Sequence, residues 1–178
     1  MLMPFVLRPQ YQSIIAPTVA TDSDVWDGYG MVQEFRTALL LKAGGRVRVT
    51  FKPPSGAAAA NTVIASAYIG MANTAPSFDG AQVQLLRESD GATGWTLTKG
   101  GSEVPTIATF RPTLSGALLI AFGITTGSII RNLSLTSDYL THYKAAASTD
   151  APNTSKSGYS TVGQTTSCVC VSKVEVLN

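Results

Sequence analysis

The segment Arg46-Val-Arg-Val-Thr-Phe-Lys52 sets Val47, Val49 and Phe51 on one side of an extended chain, with Arg46, Arg48, Thr50 and Lys52 on the other. Side chains of a β-strand alternate between its faces, so this period of two describes a strand with one dry face. Ala43-Gly-Gly45 precedes it and Pro53-Pro54-Ser-Gly56 follows, and glycine and proline are the residues that turn or stop a strand. With residues 34–42 as a preceding strand, the Gly-Gly turn predicts a β-hairpin. The rhythm continues downstream. Asn61–Gly70, Gln82–Leu86, Trp95–Thr98, the stretch ending at Phe110, and residues 117–124, 128–135 and 167–177 all read as strands between Gly-, Pro-, Asn- or Ser-containing turns.

No stretch carries the apolar period of an amphipathic helix. Ala57–Ala60 has helix propensity, but it is short and feeds a β-branched run, so a helical turn at most is expected there. The expected fold is all-β: a two-sheet β-sandwich, jelly-roll-like, of about eight to nine strands. The apolar run between Gly116 and Gly123 is far shorter than the ~18 residues of a membrane span and suits a buried strand.

At 178 residues the chain fits one domain able to bury its own core. Residues 1–30, with Pro4, Pro9 and Pro17 and no sustained period, predict an extended N-terminal arm. Its apolar Phe5, Val6, Leu7, Ile14 and Ile15 need a dry partner, either a neighbouring subunit or the chain's own body as a tucked-in first strand. The sandwich domain is expected over 31–178. Within it, residues 136–166 break the rhythm and predict a long loop region, whether a functional loop, a mobile segment or an element that the pattern misses.

Charge excludes one class of partner. Thirteen basic and eleven acidic residues leave a net charge of +2, and Arg46, Arg48 and Lys52 alternate with apolar residues, so the nucleic-acid reading falls. The N-terminal apolar segment is interrupted by Pro4 and Arg8 and is too short for a signal peptide, so synthesis in the cytoplasm is expected.

The chemistry-bearing residues are sparse. His142 is the single histidine and Gly-x-Ser-x-Gly is absent, so no catalytic residue is assigned and the chain is not expected to be an enzyme. Asp22, Asp24 and Asp27 cluster near Gly28, but their spacing departs from the calcium-loop template and aspartates are ordinary turn formers, so no metal site is expected. Gly94, Gly100 and Gly101 fall in hairpin turns without a following helix to hold a phosphate, so no cofactor is expected. Trp26, Tyr29, Tyr139, His142, Tyr143 and Tyr159 are candidate contacts for a glycan or a protein interface, because amphipathic rings stack on sugars and anchor interfaces alike.

Cys168 and Cys170 are the only cysteines. In a continuous strand they point to the same face with Cα atoms ~6.5–7 Å apart, too far for a mutual disulfide without distortion. Two readings follow: reduced thiols packed as small apolar residues, or, on an exposed face, intersubunit disulfides formed outside the reducing cell.

The strings Ala67-Tyr-Ile-Gly70, Phe78-Asp-Gly-Ala-Gln-Val-Gln-Leu85, Ala117-Leu-Leu-Ile-Ala-Phe122 and Val171-Ser-Lys-Val-Glu-Val176 carry a resemblance over residues 32–178. The chain resembles small β-sandwich proteins of tailed-bacteriophage virions, among them head decoration proteins, head fibres or spikes, and collar or tail-fibre components. Some of these are similar to carbohydrate-binding jelly rolls. The resemblance implies a non-enzymatic virion structural protein whose partners are other virion proteins and copies of itself. Its alternative is a glycan-binding module for bacterial surface polysaccharide. It carries over no functional residue, and it implies neither nucleic acid nor membrane as partner.

Overall fold

A computed structural model describes residues 11–15, 20–36, 45–113, 116–133, 139–161 and 167–177. Short strands succeed one another along the chain: β1 (Tyr11–Ile15), β2 (Ala20–Val25), β3 (Gly30–Phe35), β4 (Arg46–Phe51), β5 (Thr62–Thr74), β6 (Ser77–Phe78), β7 (Val83–Gln84) and β8 (Leu86–Arg87). They continue as β9 (Trp95–Leu97), β10 (Val104–Ala108), β11 (Leu118–Thr126), β12 (Ser128–Leu133), β13 (Tyr139–Lys144), β14 (Ser160–Thr161), β15 (Ser167–Val169) and β16 (Val171–Leu177). These sixteen among the described residues exceed the eight or nine expected, because turns and bulges divide several runs into pieces of two or three residues.

The fold is an all-β sandwich. One sheet has five strands in the order β1-β16-β4-β10-β8. The other has eight, running β14-β13-β3-β11-β5-β6, with β7 and β9 also paired to β5. A three-stranded ribbon, β15-β12-β2, adjoins them. The expected dry face of β4 is real: Val47, Val49 and Phe51 are fully buried and meet Met31, Phe35, Ile69, Ile120 and Phe122 of the larger sheet in the main core. Phe51 packs edge-on against Trp95 and Phe122 at 5.1 and 5.5 Å between ring centres.

The larger sheet is covered on both sides. Leu118–Ile124 is buried throughout, with Leu119, Ala121, Val32 and Phe78 forming a second apolar cluster on the side away from the main core. A strand covered on both faces reads as a continuous apolar run, which is the pattern seen here. The covering layer is the chain between Lys144 and Ser160. Ala147 and Ser148 donate their amides to Gly28 O at 2.8 and 3.1 Å, and Phe78 donates its amide to Thr154 O at 2.9 Å. Gly30 and Gly123 are directly paired across β3 and β11. A Cβ on Gly123 would lie 2.6 Å from the Ser148 carbonyl carbon, and one on Gly30 would lie 2.5 Å from Ala147 O. The two glycines therefore form the notch in which the 147–148 backbone lies.

Three expectations are corrected. β3 and β4 are not hairpin partners: β3 pairs with β11 and β13, whereas β4 pairs with β10 and β16. β3 is buried along its whole length and so takes a covered central place, while β4 has one dry face and belongs to the other sheet; residues 37–44 lie outside the described residues. The long loop expected over 136–166 contains β13, a full strand beside β3. The continuous strand expected over 167–177 breaks at Cys170. There φ is 57°, β15 ends its pairing with β12, and β16 begins pairing with β4. A left-handed φ is uncommon for a residue with a Cβ. The Cys170 carbonyl accepts from Lys52 N at 2.7 Å, which fixes the crossing point.

The segment 1–30 contributes two strands to the body: β1 lies along β16 and β2 along β12. At the junction of the layers, the side chain of Gln33 is fully buried. It donates to Leu140 O at 2.8 Å and accepts from Thr141 Oγ1 and from Val169 N, each at 2.9 Å. One amide thus ties β3 to β13 and to the three-stranded ribbon.

Candidate functional site

The six candidate contact residues do not converge. Cross-strand register assigns Tyr143 to Met31 and His142 to Val32, which places the tyrosine on the core side of β13 and the histidine on the outer side. Trp26, Tyr29 and Tyr143 gather at one rim of the main core, with ring centres 4.9 Å apart for Trp26–Tyr29, 5.6 Å for Trp26–Tyr143 and 6.2 Å for Tyr29–Tyr143. All three are half-buried. Tyr139 packs edge-on against Phe35 at 5.8 Å. Tyr159 instead belongs to the outer cluster, beneath Lys144, whose Nζ is 5.9 Å from the ring centre. Burial, with the Asp150 carboxylate adding to it, pushes the Tyr159 phenol well above its ordinary range.

His142 is 6% exposed. Its Nε2 lies 2.9 Å from Glu34 Oε2 and its Nδ1 3.4 Å from Thr161 Oγ1. Arg36 Nε donates to the other Glu34 oxygen at 3.0 Å. Burial alone would raise the Glu34 carboxyl, but the hydrogen bonds and charges of His142 and Arg36 outweigh it and hold the group below its ordinary 4.5. A hydroxyl, imidazole and carboxylate in this order form a relay in hydrolases. Here the ring is sealed, and the hydroxyl contact is at the outer limit of a hydrogen bond. The array joins β3, β13 and β14.

It also sets a pH dependence. A carboxyl whose folded value is depressed contributes stability in full above its unfolded value, here near 4.5, and loses it as pH falls through the folded value. Glu34→Gln removes this term and lowers stability at neutral pH by about 2 kcal/mol, the scale of a hydrogen bond to a charged group. Thermal melts as a function of pH check it: the variant has the flatter acid limb, and identical limbs would refute the assignment.

Neither a scan against protein-family models nor a search of curated proteins matches this chain. Its function is therefore argued from the side chains themselves.

The least expected feature is Lys156, a loop lysine only 3% exposed. Its ammonium donates to Asp150 O, to Ala151 O at 3.1 Å and to Asn153 O at 2.5 Å, and it sits 5.2 Å from the centre of the Phe78 ring. Burial lowers its pKa to about 8, while the nearby Asp150 carboxylate opposes that shift. Nothing in the Ser/Thr/Ala-rich sequence marks this lysine as buried, since the carbonyls that surround it have no sequence signature. Beside the loop, residues 73–78 with Thr154 and Ser155 line an open cleft of about 510 Å³ whose polar groups are all uncharged.

Asp27 Oδ1 accepts from Gly127 N at 2.6 Å, the work of a turn residue. The side chains of Asp22 and Asp24 lie outside the described residues. Among the described residues, no three His, Cys, Asp or Glu side chains are grouped to hold a metal ion. Cys170 is 1% exposed and packs in the main core, and the Cys168 side chain lies outside the described residues.

Proposed function

We propose that this chain is a non-enzymatic structural subunit of a tailed-phage virion, a decoration, head, collar or tail component that acts through contacts with other virion proteins and copies of itself. The carrying observation is the placement of His142, the one imidazole in the chain, with both ring nitrogens engaged inside the sheet by Glu34 and Thr161. Lys156 is likewise spent on loop carbonyls. Side chains with chemistry to offer are used to hold the fold, as a subunit that works by shape requires. The resemblance of residues 32–178 to virion β-sandwiches supplies the setting. Mass spectrometry of purified particles is expected to find the chain at a fixed ratio to the capsid protein; its absence from washed particles would sink the reading.

A glycan-binding module is the second reading, favoured by the half-buried rings of Trp26, Tyr29 and Tyr143 at one rim. It requires that Trp26→Ala abolish retention on host polysaccharide without lowering the melting temperature by more than a few degrees.

A further inference from the structure

The dipeptide Asp-Gly occurs three times, at Asp27-Gly28, Asp79-Gly80 and Asp90-Gly91. Its backbone is chemically labile, because a glycine has no side chain to keep its amide from the carboxyl of the preceding aspartate. The amide nitrogen can attack that carboxyl carbon, close a five-membered ring and expel water. Two conditions favour the attack: a carboxyl free to turn onto the following nitrogen, and an amide with no hydrogen bond to give up.

The three sites differ in both. Gly28 N donates to Thr125 O at 3.2 Å, and Asp27 Oδ1 is held by Gly127 N at 2.6 Å. Gly91 N donates to Arg87 O at 2.8 Å. Both Asp90 oxygens accept from Arg87, and Ala92 N adds a further bond at 3.1 Å. The bonds from Arg87 hold the Asp90 carboxyl down at about 2, and an ionised carboxylate is a poor target for a nucleophile. At Asp79-Gly80 both residues are exposed. The Gly80 amide has no acceptor among the described residues. The Asp79 side chain makes a single bond there: Oδ1 accepts from Ala81 N at 2.9 Å, which turns the carboxyl toward the backbone that follows it.

We propose that Asp79-Gly80 is a site of spontaneous succinimide formation and conversion to isoaspartate, and that the fold protects Asp27-Gly28 and Asp90-Gly91 from the same reaction. Gly80 N forms a bond to Asp79 Cγ, the Cγ–OH bond breaks, and the amide proton leaves with the hydroxyl as water. A second water then opens the ring at either carbonyl. Attack at Cγ restores aspartate. Attack at the Asp79 backbone carbonyl leaves the main chain running through Cγ, with the former backbone carboxyl free. Isoaspartate thus adds one methylene to the main chain between Phe78 and Gln82. Phe78 N is tied to Thr154 O at 2.9 Å and Gln82 Nε2 to Pro152 O at 2.8 Å, so the conversion lengthens the chain between two anchors of the covering layer.

Each ring opening takes one oxygen from solvent, so incubating the folded full chain in heavy-oxygen water at neutral pH marks every event. Peptide mapping by mass spectrometry reads the three aspartates separately, and fragmentation tells aspartate from isoaspartate. Label is expected at Asp79 at least about tenfold faster than at Asp27 or Asp90, the factor set by breaking about one hydrogen bond before attack. In urea the three rates should draw together, since the protecting bonds belong to the fold. Label that enters Asp79 no faster than either other site, or not at all, overturns the proposal. So does an unchanged ranking in urea, which would trace the difference to the neighbouring sequence and not to the structure.

Discussion

Gly123→Ala is expected to lower the free energy of unfolding by about 3 kcal/mol, the upper part of the range for forcing atoms into a filled site. The added methyl would press into the Ser148 backbone, with the carbonyl carbon at 2.6 Å and the carbonyl oxygen nearer still. A flexible side chain could swing away from such a clash. The 147–148 backbone cannot, because its amides are bonded to Gly28 O on one side of the notch. Relief therefore means lifting the whole covering segment from β3 and β11, which uncovers Val32, Leu119 and Ala121 as well. Gly45→Ala is the matched control: among the described residues, its Cβ would find only Arg111 Nε, at 3.9 Å. Urea denaturation should separate the two variants clearly, and equal midpoints would show that the 147–148 segment does not lie in the notch.

Gln33→Leu should cost a comparable amount, about 3 kcal/mol, for a different reason. Leucine fills a similar volume but leaves Leu140 O, Thr141 Oγ1 and Val169 N without the bonds they make to Gln33. Each buried polar group stripped of its partner costs roughly 1–3 kcal/mol, with some relaxation offsetting the sum. The loss has an address as well as a size. Val169 belongs to β15, so hydrogen exchange should quicken in β15 and β12, which pair with each other, more than in β4 or β10. Uniform quickening across both large sheets would mean that Gln33 contributes only to global stability and does not fasten the ribbon.

Much of the sandwich is legible in the sequence where a strand has one dry face or two. Val47, Val49 and Phe51 alternate with charged or hydroxyl side chains and are buried as their spacing demands. The 118–124 run is apolar throughout because both its faces are covered. β13 escapes such reading. Its residues Tyr139-Leu-Thr-His-Tyr-Lys144 put Thr141 and His142, both buried, where an apolar residue would normally announce a strand. Gln33 and Glu34, which take up those polar groups, lie too far away in the sequence for any local period to reveal them. The Cys168-Val-Cys170 alternation reads as one continuous strand, but the left-handed backbone at Cys170 ends β15 and begins β16, so the facing rule of a continuous strand does not apply across it. The rim of Trp26, Tyr29 and Tyr143 is visible as a set of aromatic residues but not as a neighbourhood, because β3 and β13 must pair before Tyr143 reaches the other two.

The Lys156 amine offers a clock. Sealed by carbonyls of residues 150–153 and by the Phe78 ring, it can meet an acylating reagent only when the covering segment lifts. Once acylated it can no longer return as a cation to its cage. Each opening caught by the reagent would thus be recorded permanently as a mass increment on one peptide, and the rate of that increment would report how often this layer of the sandwich breathes.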